Sequence, residues 1–159
     1  MRKVALVFAT LFLLATTGLG ILATNRGLKD AKEIDQAVGP YKGELAAAAK
    51  ADPQVAELAS LAQRTGKLKA GAVFFGIAAV LALGLLIVTF AGKSIVPIVA
   101  AAVAGMAVIG TFLSPQYDLG PFAPASARSL GYVITALAVA GAGAAWGAFT
   151  LKRRRAAMA

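Results

Sequence analysis

The chain predicts an all-α integral membrane protein: four transmembrane helices, with a helical hairpin extension between the first and the second. Three observations carry this. Apolar residues make up 59% of the 159 and charged residues only 14%, against about 45–50% and about 25% in typical soluble domains. Four uncharged apolar runs of 19 to 22 residues punctuate the chain, and about 20 helical residues cross roughly 30 Å of hydrocarbon. The short alternating segments of a membrane barrel are missing, and a helix satisfies its own backbone groups in lipid. Mean hydropathy is +0.77.

The first run is Val4–Ala23, behind the basic start "MRK". It has the flavour of a signal peptide, but its apolar stretch exceeds the usual core of about 7–15 residues. Ile21, two positions before Ala23, also spoils a small-x-small cleavage site. Residues 1–23 are therefore expected to be an N-terminal tail and a retained transmembrane helix.

Residues 24–69 form the only sizeable aqueous segment, expected as an extramembrane, periplasmic helical hairpin. Leu28, Ala31, Ile34 and Val38 recur at helical spacing between charges. "GPYKG" (39–43) reads as a turn and "ELAAAAKA" as strong helix former. Asp52 followed by Pro53 marks a new helix start, and Val55, Leu58, Leu61, Ala62, Thr65 and Leu68 supply a weak apolar stripe. A hairpin this short buries little core alone, and no cysteine staples it. Val55, Leu58 and Leu61 are accordingly candidate partner contacts.

Residues 70–113 predict an antiparallel transmembrane hairpin. Its two runs, Ala70–Ala91 and Ile95–Leu113, are joined only by "GKS". "AGKS" is no phosphate loop: the position five before Gly92 is Ile87. Residues 114–129 form a proline-rich outer loop, with Pro115, Pro121 and Pro124 precluding regular helix. Tyr117 and Phe122 suit the interfacial belt or contact with another subunit. Residues 130–159 are the fourth transmembrane helix, Leu130–Leu151, and a basic tail ending "KRRRAAMA".

The net charge of +9 is concentrated on one face. With both termini on the same side, that side holds Arg2, Lys3, Lys93, Lys152, Arg153, Arg154 and Arg155 and no acid. The opposite side mixes its cations with acids. Dense juxtamembrane cations place both termini in the cytoplasm of a bacterial inner membrane. These residues, with Trp146 in the aromatic belt, are read as interfacial anchors that also attract anionic membrane lipid. Four terminal cations without a basic fold do not make a nucleic-acid site.

The chemistry available is narrow. Histidine and cysteine are absent, which excludes histidine metal sites, haem bis-histidine ligation, serine–histidine catalysis and thiol redox work. No Asp, Glu, Lys or Arg lies within an apolar run, whereas coupled carriers use such groups. No catalytic residue, metal site or cofactor is expected. The spans instead offer small-x-x-x-small pairs that let helices approach closely: Thr16 and Gly20, Ala72 and Gly76, Ala101 and Gly105, Gly143 and Gly147. The expectation is a non-catalytic accessory or structural subunit of a larger membrane complex, such as a respiratory or secretion assembly. Its partners would be lipids and other membrane subunits, with no nucleic acid. The alternative is a small homo-oligomeric channel or transporter.

Overall fold

The computed structural model describes residues 1–114 and 127–158; the side chains of 53, 54, 57, 58, 61–63, 127, 155 and 158 lie outside that description. The described residues form α1 (Arg2–Val38), a short 3-10 turn (Gly39–Tyr41), α2 (Lys42–Ala48), α3 (Pro53–Ala91), α4 (Val96–Leu113) and α5 (Ala127–Met158), with no strand among them. Four of the helices (α1, α3, α4 and α5) are long and apolar enough to cross a membrane. The chain is in this sense a multi-pass membrane protein.

The four long helices run up, down, up and down around a ring, so sequence neighbours are antiparallel neighbours and α5 closes onto α1. Across the ring α3 and α5 also meet. The core is built mostly from alanine: Ala9, Ala78, Ala82, Ala100, Ala107, Ala138 and Ala145 are buried, with Leu13, Phe75, Leu85, Val96, Val103 and Ile134 as its larger members. Large side chains such as Val80, Ile87, Ile98 and Phe112 point outward. That inversion suits a bundle whose surroundings are as apolar as its interior, where close backbone approach does the packing.

The helices do not break where the apolar runs end. α1 continues 15 residues past Ala23, to Val38, and α3 begins at Pro53, well before the apolar run at Ala70. Charge changes the solvent a helix suits, not its backbone geometry. The break comes at Gly39 and Pro40, where a glycine is followed by the first proline of the chain, which cannot sit in a helix interior. α1 is about 55 Å long at 1.5 Å per residue, so roughly 25 Å of it exceeds a 30 Å hydrocarbon layer. The hairpin extension is therefore a continuous α1–α3 stalk, with α2 packed on α3 at its tip.

At the opposite end, α3 closes with Gly92 at φ +67°. The Lys93 N–H donates to the Val88 carbonyl at 3.0 Å and the Gly92 N–H to that of Thr89 at 3.1 Å. This is the glycine-ended helix stop, in which a left-handed residue lets two amides fold back on the last turn. Pro97 sits in the first turn of α4, where its missing N–H costs nothing.

Candidate functional site

Helix contact is the chemistry this bundle is built for, and glycine marks where it happens. At each of several positions an added Cβ would collide with the facing helix. Gly20 of α1 lies against Ala79 and the Phe75 carbonyl of α3, Gly27 against Ala72, and Gly76 of α3 against Thr24. Gly71 of α3 abuts Ser114 at the end of α4. Gly131 of α5 meets Thr111 of α4, and Gly141 of α5 meets Leu13 of α1. Phe75, 2% exposed, fills a socket floored by Gly110 and Gly131. It thereby locks α3, α4 and α5 together.

The predicted packing residues divide. Thr16 is buried; Gly20 and Ala72 are buried, and Gly76 is partly so, on the seam between α1 and α3. Ala101 is exposed, and beside Gly105 a Cβ would meet no atom within 4 Å. Gly143 is exposed and Gly147 half-buried, and beside both there is open space. The reason is phase. The buried stripe of α4 runs Val96, Ala100, Val103, Ala107, Gly110, and that of α5 runs Gly131, Ile134, Ala138, Ala142, Ala145, Ala148. The two small-x-x-x-small pairs fall off those stripes. Besides Gly20, the buried glycines among the described residues are Gly27, Gly71, Gly110, Gly131 and Gly141, none of them singled out from the sequence. Their signal was helical phase with the large core residues, not the four-residue spacing alone.

Hydroxyls buried in the bundle are satisfied locally. Thr16, Thr17, Thr89, Thr111 and Ser114 each donate to the carbonyl four residues earlier, at 2.6–3.0 Å. Hydroxyls also reach across helices: Thr17 donates to the Ala79 carbonyl at 3.4 Å, Thr24 to the Ala72 carbonyl at 2.9 Å, and Thr111 and Thr135 share a hydrogen bond of 2.9 Å. Among the described residues the buried polar side chains are all threonine or serine. No three of His, Cys, Asp and Glu gather there as metal ligands.

The stalk carries the charge pairing. Ala31 and Leu68 are buried on its seam while Leu28 faces out. Asp35 of α1 accepts a hydrogen bond from Lys69 of α3 and lies 3.6 Å from Lys42 of α2. The Lys69 hydrogen bond holds its carboxyl below the ordinary value, helped by the Lys69 charge, the Thr65 hydroxyl and Lys42. Among the candidate partner contacts Val55 is half-buried. The side chains of Leu58 and Leu61, and Tyr117 and Phe122 entirely, lie outside the described residues.

The anchors gather at one end. Arg2 and Lys3 open α1, Lys93 projects from the α3–α4 turn, and Lys152, Arg153 and Arg154 are exposed on α5. The Lys152 side chain lies over Gly92, in space a Cβ would take, which ties the tail to the turn. Arg153 stands 5.6 Å from the centre of the Phe149 ring, a cation–π contact that directs it back along the helix. Arg155 belongs to the same final turns, its side chain outside the description. Trp146 is half-exposed. No family model, curated protein or solved structure matches this chain.

Proposed function

We propose that the protein is a non-catalytic accessory or structural subunit of a larger membrane complex, held in a bacterial inner membrane with both termini in the cytoplasm. One observation supports this most. α5 presents Ala136, Ala140, Gly143 and Gly147 along one side, the first three exposed and the glycines facing open space. On the seams of the bundle such residues, for example Gly20, Gly27 and Gly141, sit under a neighbouring helix. A helix of another subunit fits this stripe by the same close approach. The stalk, projecting beyond the span, adds a second surface for an aqueous partner.

The test is purification of the full chain in mild detergent, wild type beside Gly143→Leu. A partner of different sequence at fixed stoichiometry, lost in Gly143→Leu while the chain stays folded, is the expected result. A homo-oligomer that conducts ions in liposomes would replace this reading with a channel.

A further inference from the structure

We infer that the groove between the first turns of α1 and the last turns of α5 binds an anionic phospholipid, an acyl chain in the groove and the phosphate among the cations at its mouth. Val4, Ala5, Phe8 and Phe12 form one wall, Ala144 and Leu151 the other. Phe8 and Phe12 stack with ring centres 5.9 Å apart, giving that wall a flat aromatic surface. The groove stays open because α5 offers only small side chains between Ala144 and Leu151 on this side; at Gly147 a Cβ would meet nothing within 4 Å. From Val4 to Phe12 the wall rises about 12 Å, enough for much of an acyl chain.

Charge selects the occupant. In sequence Arg2 and Lys3 immediately precede the Val4 wall, and Lys152, Arg153 and Arg154 immediately follow Leu151; the Lys152 side chain extends over Gly92 and that of Arg153 over Phe149. The sequence places no Asp or Glu in 1–23, 92–113 or 130–159, so no acid in these segments competes for them. The Arg2 Nε is buried without a hydrogen-bond partner, a donor that a phosphate oxygen can satisfy. A zwitterionic headgroup would bring its own cation into this cluster; a phosphatidylglycerol-like headgroup would not. The site adjoins the stripe proposed above at Gly147, but neither Gly143 nor the stalk takes part, so Gly143→Leu tests the subunit reading apart from it.

The experiment reconstitutes the full chain in vesicles of equimolar phosphatidylglycerol and phosphatidylcholine with matched acyl chains. Native mass spectrometry then counts the lipid kept after detergent extraction. Preferential retention of phosphatidylglycerol is expected. The triple variant Lys152→Gln, Arg153→Gln, Arg154→Gln should reduce that preference about tenfold or more, since each cation near an anionic surface is worth roughly fivefold. Ala144→Leu, which fills the groove, and Phe8→Ala, which removes an exposed part of its wall, should each lose the retained lipid with every cation in place. Phe8 is half-exposed, so its variant reports on the groove even if Ala144→Leu disturbs the bundle. Lys29→Gln with Lys32→Gln, on the stalk, should change nothing. Equal retention of the two lipids overturns the site. So does loss in the charge variant with retention in both groove variants, which would mean surface attraction alone. Displacement of the lipid by inorganic phosphate would mark a free-phosphate site and overturn it too.

Discussion

At Gly20 the backbones of α1 and α3 come together: a Cβ there would stand 3.0 Å from both the Ala79 Cβ and the Phe75 carbonyl oxygen. The carbonyl belongs to a helix and cannot swing aside, so a larger side chain must push the helices apart. Gly20→Val should therefore destabilise the isolated bundle by about 1–3 kcal/mol, the usual range for overpacking. Gly143→Leu, with open space around it, should leave that stability unchanged. Denaturant titration of helicity in mixed micelles compares the two. Equal losses would mean that the α5 stripe is packed within the chain after all. The two positions are alike in local sequence, each followed or preceded by a small residue four places away. Only their phase against the large core residues separates them, and in an alanine-rich chain spacing alone cannot reveal it.

The α1–α3 stalk is an element whose existence was half legible. Apolar periodicity at Ala31, Ile34 and Val38 announced a helix, and the Asp52–Pro53 pair announced the start of α3. The uninterrupted passage of α1 through Ala23 was hidden, because a composition change marks a solvent boundary and not a backbone one. The pairing of Asp35 with Lys69 was also hidden, since residues 34 apart in sequence meet only once the two helices are in register. That pairing gives the stalk a pH dependence of known sign. The Asp35 carboxyl is held below its ordinary 3.8, so its contribution is fully present above that value and is lost as pH falls through the lower folded value. The melting temperature of the wild type should drop as pH goes from about 5 to below 3.8, by more than that of Asp35→Asn. The effect is small, as for exposed pairs generally, and weaker in high salt. Parallel melting curves for the two proteins across that range would show that the ion pair contributes nothing.

For the whole molecule, four helices long and apolar enough to cross a membrane were legible from hydropathy and the short "GKS" link, but the ring order was not, because it depends on which faces of four similar helices meet. The up-and-down course has a consequence that hydropathy alone leaves open. It places Arg2, Lys93 and the α5 tail at one end and α2 at the other, so a single fact about one end orients the entire chain. We propose that the dense juxtamembrane cations at that end set it in the cytoplasm by the positive-inside rule; Lys67 and Lys69, near the other boundary, pull the opposite way. The chain has no cysteine, so each introduced thiol is a unique probe. Ala51, Ser94 and Ala157 are all exposed, which makes Ala51→Cys, Ser94→Cys and Ala157→Cys accessible without disturbing packing. In intact cells a membrane-impermeant thiol reagent should label position 51 alone. After the membrane is opened it should label all three. Labelling of 94 and 157 but not 51 in intact cells would invert the orientation while keeping the fold. Labelling of 94 without 157 would break the four-crossing topology itself.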